Sequence, residues 1–290
     1  MRLGLVGVGR MGGNMRDRLR AAGHEVLTYD RDPARSDTAD LADLAARLPA
    51  PRVVWLMLPA AVTGAALEEL TGHLSAGDLV VDGGNSPFTE DGPRARRLAE
   101  HGIAYLDVGV SGGIWGREHG YALMVGGAAE DVARCRPIFD ALRPPGEYGF
   151  VHAGGVGAGH YAKMIHNGIE YALMQAYGEG YELLARSELI EDVPGVLRSW
   201  RSGSVVRSWL LDLLSEALDE DPGLASVRGY AEDTGEGRWT VDEAVRLAVP
   251  AHVITAALFA RFASREVDAP ALKAVAALRQ RFGGHRVETG

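Results

Sequence analysis

Through the first half of the chain, short apolar runs that close on turn residues alternate with stretches whose apolar positions recur every three or four residues. The runs predict strands over 2–6, 25–29, 52–56, 79–82, 103–107 and 121–125, and the stretches between them predict helices near 10–22, 38–47, 63–73, 89–101 and 130–142. Leu3-Gly4-Leu5-Val6 and Leu79-Val80-Val81 are unbroken rather than alternating, the pattern of strands buried on both faces, so a parallel sheet covered by crossover helices is expected. After a last short strand near 149–152, apolar residues keep helical spacing almost to the end. The glycine-rich stretch Ala153-Gly154-Gly155-Val156-Gly157 marks the expected boundary between a doubly wound α/β domain over 1–156 and an all-α domain over 157–290. A long helix over 158–186 should enter the second domain and end before the turn Glu191-Asp192-Val193-Pro194-Gly195, with shorter helices over 195–219, 223–233, 240–264 and 268–282.

Charge narrows the partners. Thirty basic against 39 acidic residues give a net charge of −9, and an acidic chain without a basic block is a poor candidate for binding nucleic acid or an anionic membrane. The longest mostly apolar run, 247–260, is too short for a membrane span and contains Pro250 and His252. No cleavage-type segment follows the apolar residues 3–8, so no signal peptide is expected. The single cysteine, Cys135, excludes an internal disulfide and a thiolate metal cluster and fits a reducing compartment, so a soluble cytoplasmic protein is expected. The basic residues themselves divide unevenly into 28 arginines and two lysines, Lys163 and Lys273.

Gly7-Val8-Gly9-Arg10-Met11-Gly12 directly follows the first predicted strand and opens the first predicted helix, the context required of a Rossmann-type dinucleotide fingerprint. Its glycines allow a tight turn and let a pyrophosphate approach amides at the positive end of the helix. A plain glycine-rich loop would carry the same letters; the order of strand, motif and helix favours the nucleotide. The second strand leads into Asp30, 23 residues after Gly7, where a carboxylate binds ribose hydroxyls and repels a 2′-phosphate. NAD is therefore expected over NADP, although Asp30 also suits a turn and the adjacent Arg31 is able to accept a 2′-phosphate. Leu58-Pro59-Ala60, after the third strand, is expected on the nicotinamide side by topology.

Two polar loops, Asp82-Gly83-Gly84-Asn85-Ser86 and Gly109-Val110-Ser111-Gly112-Gly113, are expected after the fourth and fifth strands, at the sheet edge where ligands bind. Asn85 and Ser111 offer side-chain hydrogen bonds to a polyhydroxylated ligand, though either loop alone is ordinary turn chemistry. A sharper signal lies in Lys163-Met164-Ile165-His166-Asn167-Gly168-Ile169-Glu170-Tyr171. Asn167 and Glu170 fall within ~40° of Lys163 on a helical wheel, flanked by His166 and Tyr171. A solvated Lys/Glu face is the ordinary alternative. It is weakened because this arginine-rich chain places one of its two lysines here. Arginine keeps its proton at neutral pH, whereas a buried lysine releases it and acts as a base.

These motifs, with Gly157-Ala158-Gly159-His160 and the tail Arg279-Gln280-Arg281-Phe282-Gly283-Gly284-His285, resemble decarboxylating 6-phosphogluconate dehydrogenase. The resemblance spans essentially the whole chain and is to the short, single-unit form within the 3-hydroxyacid dehydrogenase superfamily. It implies an oxidoreductase that converts 6-phospho-D-gluconate into D-ribulose 5-phosphate and CO2 with NAD or NADP, without a metal, in the pentose phosphate pathway and gluconate utilisation. By the same resemblance Lys163 is the base at the C3 hydroxyl and later polarises the C3 carbonyl. Glu170 protonates C1, for which a raised pKa is expected. Asn85, Ser111, Gly112, Gly113, His166 and Asn167 orient the substrate, and Asn85 also borders the cofactor. Tyr171 contacts the phosphate, and Arg279 and His285 reach the neighbouring site of a homodimer or larger homo-oligomer. Arg265 is a weaker phosphate candidate. Thr234-Gly235-Glu236-Gly237-Arg238-Trp239-Thr240 resembles the long enzymes' Lys-Gly-Thr-Gly-Lys-Trp-Thr loop but has threonine for its first lysine, so that contact does not carry over. Lys273 reads as a surface residue.

Two other readings stay open on sequence grounds. A β-hydroxyacid dehydrogenase without decarboxylation shares the fingerprint, the serine-glycine loop and the helix lysine. It has no use for His166, Glu170, Tyr171 and the Arg279/His285 tail. A non-catalytic NAD(H)-binding sensor would have kept the fold and lost the chemistry, against which stands the retention of both proton-transfer groups.

Overall fold

Seven strands form one sheet in the computed structural model, which describes residues 1–288. They are β1 (Arg2–Val6), β2 (Glu25–Tyr29), β3 (Val53–Leu56), β4 (Leu79–Asp82), β5 (Ala104–Ser111), β6 (Ala122–Gly126) and β7 (Phe150–Gly154), in the spatial order β2-β1-β3-β4-β5-β6-β7. The first five run parallel, β6 is antiparallel to β5, and β7 is parallel to β6. The strand order reverses at β1, which places a crevice beside its carboxyl end. The intervening helices are α1 (Arg10–Ala21), α2 (Leu41–Arg47), α3 (Ala60–Thr71), α4 (Asp91–Ala99), α5 (Gly116–His119) and α6 (Ala129–Leu142).

Alternation within the apolar runs explains why both sheet faces are covered. Leu3, Leu5, Val53, Trp55, Leu79 and Val81 face one core with Met15 and Leu19 of α1 and Ile138 and Phe139 of α6. Val6, Val54, Leu56 and Val80 face the other with Leu44 of α2, Leu67 and Leu70 of α3 and Leu98 of α4. Cys135 is buried in the first core, where burial pushes its thiol up to about 12, so it stays a neutral packing group at physiological pH.

β5 is longer than its apolar run predicts. Gly109, Val110 and Ser111 lie inside the strand rather than in a loop after it, because β6 folds back and pairs with residues 107–111. That pairing is non-local and leaves no mark in the run itself.

By packing, the chain divides into Met1–Asn167 and the segment from Gly168 on. The long helix α7 (Ala158–Arg186) has the bounds its periodicity predicts, and beyond it come only helices among the described residues. These are α8 (Val193–Ser199), α9 (Trp209–Glu220), α10 (Glu236–Leu247), α11 (His252–Ala263) and α12 (Pro270–Gly283). The helix expected over 195–219 is two, because Ser202-Gly203-Ser204 turns the chain and the Ser208 hydroxyl accepts from Leu211 N–H to start α9. The helix expected over 223–233 is absent. Asp221 instead accepts from the amide and hydroxyl of Ser226, which holds a turn there. The one expected over 240–264 is broken by Pro250 after Ala248 adopts a left-handed conformation. Two small cores serve this half, one around Tyr171, Ala257 and Leu258, the other around Leu197, Leu211 and Leu218. Among the described residues no helix is long and apolar enough to cross a membrane.

Candidate active site

The fingerprint forms the turn between β1 and α1. Gly7 has φ +91°, and a Cβ there would stand 2.5 Å from the Met57 carbonyl, so only glycine fits. Gly9, the N-cap of α1, has open space where a Cβ would be, and the helix has no acid in its first turn and no side chain capping it. This is the arrangement in which helix amides receive an anion, and it fits a dinucleotide pyrophosphate. Gly12 is buried against Gly7, and Val8 is buried while Arg10 is exposed and Met11 half-buried. Asp30 follows β2 and accepts from Val8 N–H at 2.6 Å and from Asp32 N–H at 2.9 Å, which ties its carboxylate to the fingerprint turn. Arg31 beside it is exposed. Leu58, Pro59 and Ala60 turn from β3 into α3, with Pro59 at the helix cap.

At the ends of β4 and β5 stand the polar groups expected to meet substrate. Asn85 is exposed, while Ser86 is buried and donates to Asp82 at 3.0 Å, which makes it a brace for the loop. Ser111 ends β5, and Gly112 and Gly113 follow with φ of +146° and +55°. The turn beyond them is fastened to α1 by Asn14, whose side chain donates to the Ile114 carbonyl at 2.9 Å. The sequence-predicted substrate loop and the fingerprint helix are therefore directly linked.

The first two turns of α7 run against β5. A Cβ on Gly109 would overlap the Lys163 side chain and stand 2.7 Å from the Gly159 carbonyl, so the helix lies as close to the strand as backbone allows. In that position Ser111 Oγ lies 3.2 Å from His166 Nε2, His166 Nδ1 lies 3.3 Å from Lys163 Nζ, and Asn167 Oδ1 lies 3.2 Å from Nδ1. Four of the sequence-predicted residues thus form one hydrogen-bonded row. Within α7 itself, Glu170 and Tyr171 follow two turns after Lys163, Glu170 half-buried and Tyr171 buried.

Beneath the row lies a buried polar network with no role assigned from the sequence. Asp107 of β5 accepts from Gly157 N–H at 2.7 Å and His160 N–H at 2.9 Å and so caps α7 from a neighbouring strand. His160 Nδ1 is 2.9 Å from both carboxylate oxygens of Asp91. Tyr105 donates to Asp91 at 2.8 Å, and Arg94 donates to Asp82 at 3.0 Å. Burial disfavours the His160 imidazolium, but the hydrogen bond to Asp91 and the charges of Asp82, Asp91 and Asp107 outweigh it and raise its pKa to about 9. Asp82, Asp91 and His160 bring ligand-type atoms within 4.8 Å of one another. Their acceptor oxygens are already met by Gly84 N–H, Ser86, Arg94, Tyr105 and His160, so a metal cation would have to displace these donors. Sequence gave Gly157-Ala158-Gly159-His160 as a motif; its carboxylate partners come from α4 and β5 and leave no local signal.

In the helical segment, the Arg261 guanidinium stacks 3.4 Å from the centre of the Tyr171 ring, and its Nη1 donates to the Glu232 carbonyl. Sequence reasoning passed over Arg261. Arg265, the arginine it named, pairs with Asp233 at 2.9 Å. Thr234 N–H is 3.4 Å from the Tyr171 hydroxyl. Arg279 and His285 are exposed, on α12 and just beyond it, and Lys273 is exposed and paired with Asp268.

The NAD binding domain of 6-phosphogluconate dehydrogenase matches residues 2–144, and the C-terminal domain of 6-phosphogluconate dehydrogenase matches residues 159–287. An NAD(+)-dependent, decarboxylating 6-phosphogluconate dehydrogenase of Haloferax volcanii is 44% identical over 298 residues, covering 99% of this chain and 98% of that protein. The solved 6-phosphogluconate dehydrogenase of Plasmodium falciparum superposes with a TM-score of 0.82 at 25% identity; the match covers all of this chain and 66% of the longer one. A 3-hydroxyisobutyrate dehydrogenase of Mycobacterium tuberculosis shares the fold, with a TM-score of 0.72 at 21% identity over 96% of this chain and 99% of its own. With both domain models matched in order and a full-length relative at this identity, the chain belongs to the 6-phosphogluconate dehydrogenase family.

Proposed function

We propose that this protein oxidatively decarboxylates 6-phospho-D-gluconate to D-ribulose 5-phosphate and CO2 with NAD as the preferred oxidant. The observation that carries the reading is the row Ser111–His166–Lys163, which places an amine beside groups able to hold a carboxylate and hydroxyls. The name of the Haloferax volcanii relative supports both the decarboxylation and the choice of NAD.

The first 156 residues serve as the nucleotide-binding domain and 157–290 as the substrate-binding and oligomerisation domain. Gly7, Val8, Gly9, Arg10, Met11 and Gly12 receive the pyrophosphate, Asp30 takes the ribose hydroxyls with Arg31 beside it, and Leu58, Pro59, Ala60 and Asn85 border the nicotinamide. When bound, the nicotinamide supplies the hydride acceptor. Lys163 takes the proton of the C3 hydroxyl, and as an ammonium it then hydrogen-bonds the C3 carbonyl and passes that proton to its oxygen while the C1 carboxylate leaves as CO2, which gives the enediol. Glu170 delivers a proton to C1 of the resulting enediol as Lys163 accepts one from the oxygen. The proton taken at C3 is thereby balanced by the one gained at C1. Ser111, the amides of Gly112 and Gly113, His166, Asn167 and Asn85 orient the acid and its hydroxyls.

Tyr171 and the Arg261 stacked on it form the phosphate end, with Arg265 the second guanidinium at the end of α11. Arg279 and His285 complete that end in a neighbouring copy. Homo-oligomer formation is supported by α12, which buries none of its residues and leaves Leu272, Val275, Leu278 and Phe282 at 69%, 50%, 67% and 90% exposure. Covering such side chains yields about 1.5–3 kcal/mol each. The cytoplasm is the proposed location, consistent with an unpaired cysteine.

The test is purified protein with NAD and 6-phosphogluconate, following NADH and CO2 together. Equal amounts of both are expected. NADH without CO2 would identify a simple β-hydroxyacid dehydrogenase, and neither product alongside measurable NAD binding would identify a sensor.

A further inference from the structure

His160 is the third residue of α7 and lies one turn before Lys163, at a spacing that puts their Cβ atoms about 5–6 Å apart. Only 2% of it is exposed, and its ring enters a space lined by charge from three other elements. Asp82 comes from β4, Asp91 and Arg94 from α4, and Tyr105 and Asp107 from β5. Without a proton on the imidazole, three buried carboxylates would face one guanidinium. Its Nε2 is buried without a hydrogen-bond partner among the described residues, so Asp91 alone fixes the ring's orientation.

The backbone around it has little freedom. Asp107 caps the helix through the His160 amide, and a Cβ on Gly159 would stand 2.5 Å from the Asp107 carbonyl. The helix start is thus held by cap, close approach and ion pair together, and Lys163 is the next residue on that face. Tyr105 reaches Asp91 at 2.8 Å and Asp82 at 3.3 Å, and Asp82 accepts from Gly84 N–H at 3.0 Å. One network therefore joins the Asn85 loop to the lysine helix.

We propose that His160 is a positioning residue for Lys163: held as a cation against Asp91, it fixes the rotation of the first turns of α7 and keeps a positive charge one turn away, which favours the neutral amine. The inference rests on Lys163 being the base. It adds a second function to a pair that packing alone would explain, because a cation at this spacing acts on the lysine's titration as well as on its place.

Two variants test it, His160→Gln and the double variant Asp91→Asn/His160→Gln, which restores the net charge of the network. In His160→Gln, kcat for 6-phosphogluconate should fall about 10–100-fold with KM changed by less than about threefold, while NAD affinity, read by titration, stays the same. The acid limb of kcat/KM should move up by about half to one pH unit, because removing a cation favours the protonated lysine, and it should return in the double variant. A fall in kcat with an unmoved limb, or wild-type kinetics, overturns the proposal. Should the single variant not fold, nitrogen-15 resonances of histidine-labelled wild-type protein decide: His160 is expected to keep its proton to about pH 9, and losing it below neutrality overturns the proposal. That measurement does not involve turnover, so it is separate from the Lys163 reading, which fails on its own if Lys163→Arg remains active.

Discussion

Ser111 Oγ lies 3.2 Å from His166 Nε2, on the side of the imidazole away from Lys163, whose Nζ is 3.3 Å from Nδ1. The two contacts set a direction for the row. Nδ1 also faces Asn167 Oδ1 at 3.2 Å, so both ring nitrogens are engaged and the imidazole links the hydroxyl to the amine. Ser111→Ala should therefore lower kcat about tenfold and raise KM for 6-phosphogluconate, with NAD affinity unchanged in a titration. Unchanged kcat and KM would remove Ser111 from the row's function.

Lys163→Arg preserves the positive charge and much of the stem but not the ability to shed a proton. Turnover should drop by about three orders of magnitude or more, comparable with the loss of a general base, while NAD binding and thermal unfolding stay near wild type. Activity within about tenfold of wild type would place the base elsewhere.

The readable parts of this chain are those whose cause is local. Gly7 to Gly12 and the run 158–186 carry their geometry in consecutive residues, and α7 has the bounds its periodicity predicts. The strand extension to Ser111 depends on β6, and the pairing of His160 with Asp91 depends on a helix far upstream. Helix breaks at Ser208 and Pro250 were written in the sequence, but the apolar period continues across both and hid them. Arg261 and Arg265 lie one turn apart, and only the fold shows which one meets the Tyr171 ring.

That pair of arginines gives a direct contrast. Arg261 stacks on Tyr171, the side chain assigned to the phosphate, whereas Arg265 is committed to Asp233. Arg261→Ala should raise KM for 6-phosphogluconate by about tenfold or more, in line with losing a charge-assisted contact, with a smaller effect from Arg265→Ala. Steady-state kinetics of both variants decide between them. A larger KM effect from Arg265→Ala would move the phosphate to that residue.

Val8 N–H and Asp32 N–H hold the carboxylate of Asp30, the side chain proposed to take the ribose hydroxyls, in place. Asp30→Ala removes the negative charge that repels a 2′-phosphate and leaves Arg31 beside it. The ratio of kcat/KM for NAD to that for NADP should fall by about tenfold, with some loss of NAD affinity as the turn loosens. An unchanged ratio would show that specificity is set elsewhere.

Two buried groups set the expected pH limits of stability. Burial alone would raise the pKa of Asp78, but the amides of Arg52 and Ser75 and the Arg52 guanidinium outweigh it, and its carboxyl is held below the usual aspartate range. A depressed pKa contributes stability that is present above about pH 4 and is lost as pH falls through the folded value. His160 has the opposite sign: its raised pKa contributes stability that is full below about pH 6.5 and is lost as pH rises through about 9. Thermal unfolding against pH should therefore show a plateau between these limits. Asp78→Asn should cost about 1.5–3 kcal/mol on that plateau and flatten the acid slope, because an amide keeps the shape but not the charge that the Arg52 guanidinium meets. His160→Gln should flatten the alkaline slope. An acid slope unaltered in Asp78→Asn, or an alkaline slope unaltered in His160→Gln, would mean that the corresponding group does not set that limit.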